Sequence, residues 1–201
     1  STRKTKLKEN YIMKNKKSVL FIAQAAMIAA LYVVLTLLAN ALGLANYAIQ
    51  LRFSEALTIL PFFTPAAIPG LFVGCLIANL LTGAMPLDII FGSLATLIGA
   101  LGTYALAKHF RKSGKNHTAT QELSKEKASC KNQTLAKWLS PLPPIVANTI
   151  IVPFVLSYVY HLPGSIPYFM LTVGLGEVLS CGVLGMILLN ILKKYEKYIF
   201  P

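Results

Sequence analysis

Long apolar blocks alternate with short basic stretches along the chain. Ser18 to Leu42, Pro86 to Ala107, Trp138 to Tyr160 and Ile166 to Leu192 are each apolar for the length of about 20 residues that a membrane-spanning helix needs. They predict four spanning helices. Ser54 to Gly83 is equally apolar but is interrupted by Pro61, Pro65 and Pro69. It predicts two shorter helices, about Arg52–Phe63 and Ala66–Thr82, turning near Thr64-Pro65. At about 1.5 Å per residue the first is too short for a hydrocarbon core of about 30 Å. It is expected to be a partial or tilted helix shielded by its neighbours, since broken helices at membrane depth survive only against protein or a water-filled cavity.

Charge adds direction. Between Ser18 and Ala107 the only charged residues are Arg52, Glu55 and Asp88, and between Trp138 and Leu192 only Glu177 is charged. Basic residues gather in Arg3–Lys17, Lys108–Lys137 and Lys193–Lys197. Such clusters between apolar blocks follow the positive-inside rule and place all three stretches in the cytoplasm. The Ser54–Gly83 region must then begin and end outside, which its two short helices satisfy. The predicted architecture is an all-α integral membrane protein with six transmembrane helices, the second short or broken, and both termini cytoplasmic. Residues 1–17 form a basic cytoplasmic segment, 18–192 the membrane domain interrupted by the cytoplasmic loop 108–137, and 193–201 a cytoplasmic tail. Val19–Leu42 exceeds the about 7–15 residues of a signal-peptide apolar region and reads as a retained helix. Met13-Lys-Asn-Lys-Lys could be a natural start, making residues 1–12 an extension.

Composition supports this picture. Of 201 residues 55% are hydrophobic and 13% charged, against roughly 25% charged in soluble domains. The net charge of +12 would suit nucleic acid, but its confinement between apolar blocks points to anionic inner-leaflet lipid instead. Cys75 and Cys181 lie in apolar runs and Cys130 in the polar loop, with no C-x-x-C pair and no metal-ligand spacing.

Charged groups inside membrane helices are costly and mark function. The predicted topology gathers Arg52, Glu55, Asp88 and the short-loop His161 toward the outer side, with Glu177 near the middle of the last helix and amides at Asn79 and Asn148. These could line one cavity open to the outside. Each has a plainer reading. Arg52 and Glu55 could pair on one helix face. Asp88 could simply complement its helix N-terminus, the two amides could join helices, and His161 could be an exposed loop residue. Glu177 is hardest to explain away, with no basic neighbour in sequence and Gly174 and Gly176 beside it. Gly70-x-x-x-Gly74, Ala95-x-x-x-Gly99 and the alanine pairs Ala25/Ala29 and Ala26/Ala30 mark close helix approaches or a docking face.

Enzyme signatures are missing. There is no H-E-x-x-H, no G-x-S-x-G and no G-x-x-x-x-G-K-[ST], so no catalytic residues, no metal and no ATP site are expected in this chain.

Three segments carry a resemblance. Leu51-Arg-Phe-Ser-Glu-Ala-Leu-Thr-Ile-Leu-Pro, Pro69-Gly-Leu-Phe-Val-Gly-Cys-Leu-Ile-Ala-Asn and Asp88-Ile-Ile-Phe-Gly-Ser-Leu-Ala-Thr-Leu together resemble the QueT-like family of queuosine-precursor transporters, as does Gly176-Glu-Val-Leu-Ser-Cys-Gly-Val-Leu-Gly. The resemblance runs from Ser18 to Leu192. It implies a substrate-binding (S) component of an energy-coupling factor importer in the bacterial cytoplasmic membrane. The implied partners are a membrane coupling protein (the T component) and two cytoplasmic ATPases that use the ATP. It also implies that Ala25, Ala26, Ala29 and Ala30 face the coupling protein, and that the solute is a 7-deazaguanine such as preQ1, preQ0 or queuine.

Chemistry then suggests roles. A guanine-like edge offers two adjacent N–H donors that one carboxylate can accept. Glu177 is the first choice and Glu55 the second. Asp88 or Glu55 could pair with an aminomethyl cation, Asn79 and Asn148 could bind the carbonyl or ring nitrogens, and Arg52 could donate to the carbonyl or keep Glu55 ionised. Phe53, Phe91 and Tyr168 are candidate stacking surfaces. The alternatives are an S component for another vitamin-like solute, a stand-alone small carrier or channel, a small intramembrane hydrolase, and a structural scaffold.

Overall fold

A computed structural model describes residues 2–43, 52–113, 134–161 and 163–199. Every regular element among them is helical. Helix α1 spans Thr2–Ala41, a 3-10 helix Phe53–Phe62, α2 Ala67–Leu81 and α3 Pro86–Ser113. After a short helical stretch at 134–139, α4 spans Leu142–Tyr158. The last apolar block is one continuous rod in three parts: α5 at Ile166–Glu177, a π-helical stretch at Val178–Leu184, and α6 at Gly185–Ile199.

Four of these helical stretches are long and apolar enough to cross a membrane: Asn15–Ala41, Pro86–Arg111, Thr134–Tyr158 and Ile166–Tyr195. Phe53–Phe62 and Ala67–Leu81 are the shorter apolar helices. The apolar blocks of the sequence thus map onto helices nearly one for one. Two boundaries move. Helix α1 starts well before Ser18, and α3 continues past Ala107 into the basic stretch. Cys130 and the centre of the Lys108–Lys137 loop lie outside the described residues.

The expected partial helix takes 3-10 form. At about 2.0 Å rise per residue, ten residues of it cover only about 20 Å. Ser54 through Pro61 are all buried, which supplies the protein shield that an irregular segment at membrane depth requires. The segment packs against α1, α2, α3, α6 and the π stretch, so it occupies the middle of the bundle. Thr58 Oγ1 donates to the Glu55 carbonyl at 2.6 Å, and Pro61 removes an amide near its end. At the far end the Arg111 guanidinium donates to the Phe62 carbonyl and sits over the Phe62 ring, its Cζ 5.7 Å from the ring centroid.

Small residues set the helix crossings. A β-carbon on Gly70 would lie 2.7 Å from the Ala25 carbonyl oxygen, and one on Gly74 would lie 2.8 Å from Tyr32 Cβ. That is the α1/α2 contact. Along α3, β-carbons on Gly99 and Gly102 would lie 2.7 Å and 2.6 Å from Pro144 and Pro143 of α4. The core beneath α1 and α2 contains Ile28, Tyr32, Leu57, Leu60, Leu71 and Cys75. A second cluster, Val152, Leu156, Phe169 and Val173, joins α4 to α5.

Candidate functional site

Two irregular helices place the acidic groups. Glu55 lies in the first turn of the 3-10 helix. Glu177 ends α5, immediately before the π stretch. The 3-10 helix and the π stretch pack on each other, which brings residues more than a hundred positions apart into one buried cluster. One carboxylate oxygen of each glutamate and the Cys181 Sγ all lie within 4.8 Å of one another, and all three residues are buried.

The hydrogen bonds around this cluster are specific. Tyr32 of α1 donates its hydroxyl to Glu55 Oε1 at 2.5 Å. Asn148 of α4 donates to Glu55 Oε2 at 3.4 Å, and the same amide interacts with Glu177. Cys181 Sγ donates to Glu177 Oε2 at 3.1 Å and also lies 3.4 Å from the Glu55 carbonyl and from Thr58 Oγ1. Glu55 is therefore held by O–H and N–H donors, one on each oxygen. Glu177 receives a thiol, a weak donor, and retains acceptor capacity for something else.

The remaining candidates form a second tier. Arg52 is half-buried and within electrostatic range of both Asp88 and Glu55. Tyr32 and Asn148 occupy the two oxygens of the Glu55 carboxylate, and the charge of Arg52 favours it as well. Asp88, at the start of α3, accepts from the Tyr160 hydroxyl at 2.8 Å, and Tyr160 in turn accepts from the Met85 amide at 3.2 Å. Asn79 of α2 donates to Cys75 Sγ at 3.5 Å. It meets Asp88 across Gly92, where a β-carbon would lie 3.2 Å from Asn79 Nδ2 and 3.5 Å from Asp88 Oδ1. The hydroxyls of Ser54, Ser93, Thr149 and Ser180 are buried without a hydrogen-bond partner among the described residues. Buried polar groups in native proteins are seldom left so.

Three groups fall outside the cluster. Phe91 and Tyr168 are 43% and 48% exposed and are not part of the buried cluster. His161 is exposed, with φ of 50°. Phe53 is half-buried. On α1 the alanines divide: Ala25 and Ala29 meet Gly70 and Gly74 of α2, whereas Ala26 and Ala30 are exposed.

Tyr32, Cys181 and Tyr160 are absent from the sequence-derived set. A tyrosine or cysteine inside an apolar run reads as core, and nothing local marks its partner. Glu55, Glu177 and Cys181 also form a group that could hold a metal ion. Sequence spacing could not reveal it, because Glu55 lies more than a hundred positions from the other two.

Residues 22–194 match the family described as the QueT transporter. The chain belongs to the QueT transporter family. Every residue of the buried cluster lies inside the matched region. A relative from Lactococcus lactis subsp. cremoris (strain MG1363), named "Queuosine precursor transporter QueT", is 38% identical over 77 residues. That stretch covers 38% of this chain and 45% of the relative, so the chain matches less than half of the relative's length. No solved structure matches this QueT-family chain. The family is one of transporters, and with the four long apolar helices it makes this a multi-pass membrane protein.

Proposed function

We propose that this chain is the solute-binding S component of an energy-coupling factor importer and that its solute is a queuosine precursor of the 7-deazaguanine class. The observation that carries the reading is the buried pair Glu55 and Glu177 beside Asn148. Two carboxyl groups side by side are too costly to bury in an apolar bundle without a purpose. A deazaguanine presents two adjacent N–H donors on its pyrimidine edge. The Glu177 carboxylate, with its spare acceptor capacity, takes them as charge-assisted bonds. Glu55, held by Tyr32 and Asn148, forms the second wall. Asn148 lies between the two and can turn its carbonyl or amide toward the ring. Arg52 and Asp88 stand on the approach, where Arg52 can reach the ring carbonyl and Asp88 an aminomethyl cation. The unpartnered hydroxyls of Ser54 and Ser180 supply further polar contacts.

The topology belongs to the same proposal. Phe62, Thr64, Gln24 and Arg111 meet at one end of the bundle, with Thr64 Oγ1 donating to Gln24 at 3.2 Å. Met85, Asp88 and Tyr160 meet at the other. With the basic stretches inside, the first end is cytoplasmic and the second external. The chain then crosses six times and begins and ends in the cytoplasm of a bacterial cell. This chain makes and breaks no bond. The coupling protein and two ATPases would bring ATP, and the exposed Ala26/Ala30 edge of α1 would receive the coupling protein.

The test is thermal unfolding of the detergent-purified protein with preQ1, preQ0, queuine, guanine and several B-vitamins. A binding solute at a hundredfold excess over Kd stabilises by about 2.7 kcal/mol. A shift with the deazaguanines, lost in Glu177→Gln while that variant stays folded, is expected. A shift with a B-vitamin alone would overturn the substrate, and uptake into liposomes by this chain without ATPases would overturn the S-component role.

A further inference from the structure

Among the described residues of α1, Tyr32 brings its polar atom to the acidic cluster. It is 1% exposed, as is Glu55, and the two are 23 positions apart in sequence. Its ring lies in the core with Leu57, Leu71 and Cys75, and Gly74 leaves room for its β-carbon. A buried tyrosine hydroxyl needs a partner, and this one has the Glu55 carboxylate at 2.5 Å.

We propose that Tyr32 is a positioning residue: it holds the Glu55 carboxylate in place beside Glu177. As a role in solute binding this rests on the function proposed above. The argument is geometric. Glu55 stands on a 3-10 helix, whose backbone hydrogen-bond geometry is poorer than that of an α-helix. Its carboxylate would be free to swing if its only donor were Asn148 at 3.4 Å, a long bond. The Tyr32 bond pins the other oxygen, and it comes from a ring already locked by packing. Binding groups perform only when such supporting contacts fix their orientation. Tyr32 therefore acts through Glu55 and touches no solute itself. It also connects α1 directly to the binding cluster.

The test is a double-mutant cycle on the full-length protein in detergent. Tyr32→Phe removes one oxygen and keeps the ring, so the core under α1 stays filled. Tyr32→Phe, Glu55→Leu (which has no acceptor for the tyrosine hydroxyl) and the double variant are compared with wild type for binding of preQ1, preQ0 and queuine, and for thermal unfolding without solute. Tyr32→Phe is expected to weaken binding about tenfold, because Glu55 is no longer held where the solute meets it. In unfolding, its effect should largely vanish once Glu55 is already Leu, because the two act as one unit. Additive losses in unfolding, or wild-type affinity in Tyr32→Phe, would overturn the proposal. If wild type binds none of the three solutes, the proposed function falls, and the unfolding cycle still decides whether Tyr32 holds Glu55.

Discussion

Gly70 of α2 presses so closely on Ala25 of α1 that a β-carbon on the glycine would stand 2.7 Å from the alanine's carbonyl oxygen. Backbone cannot yield as a flexible side chain can. Gly70→Val should therefore force the two helices apart. Overpacking of this kind costs about 1–3 kcal/mol. The loss should appear as a lower unfolding midpoint in detergent, and a midpoint equal to wild type would refute the close crossing.

The same contact makes a prediction about the other side of α1. Ala25 and Ala29 are spent on Gly70 and Gly74, but Ala26 and Ala30 are exposed. Ala26→Leu should leave unfolding and solute affinity at wild-type values. Under the proposed function it should cut ATP-driven uptake in the reconstituted complex about tenfold or more, equivalent to about 1.4 kcal/mol of lost association. Uptake unchanged by Ala26→Leu and Ala30→Leu together would remove this edge from the interface.

Tyr160 ties the turn after α4 to the start of α3 through Asp88 and the Met85 amide. The tie lies at the partly exposed end of the bundle, where a hydrogen bond contributes about 0.5–1.5 kcal/mol. Tyr160→Phe should lower stability within that range. If the solute enters from this end, release should also become faster, as measured by exchange of bound deazaguanine against unlabelled competitor.

Much of the fold is legible in the sequence because hydropathy alone sets helix positions in a membrane. Uninterrupted apolar blocks became long helices, and Pro61, Pro65 and Pro69 marked the region of short ones. What the pattern could not carry is hydrogen-bond register. Whether Phe53–Phe62 winds as α or 3-10, and whether Val178–Leu184 widens to π, depends on neighbours that packing supplies later. The candidate site divides along the same line. Charged residues in apolar surroundings stand out, so Glu55, Glu177, Asp88 and Arg52 were visible. Their supporters were not: Tyr32 and Cys181 have the sequence context of ordinary core residues, and only the fold shows where their polar atoms end. The alanine pairs show how fine the distinction can be. Ala25 and Ala26 are neighbours in sequence, yet about 100° of helical rotation separates a half-buried helix contact from an exposed edge.

The π stretch changes how the last apolar block must be counted. A π turn holds more residues than an α turn, so an α-helix that absorbs one extra residue shifts everything beyond it by roughly 100° about the axis. Helical-wheel arithmetic carried straight from Ile166 to Ile199 would put α6 on the wrong face. The count has to restart at Gly185, and a single deletion between Val178 and Leu184 would turn Leu189, fully buried against Ile59 and Phe63, away from its place in the core.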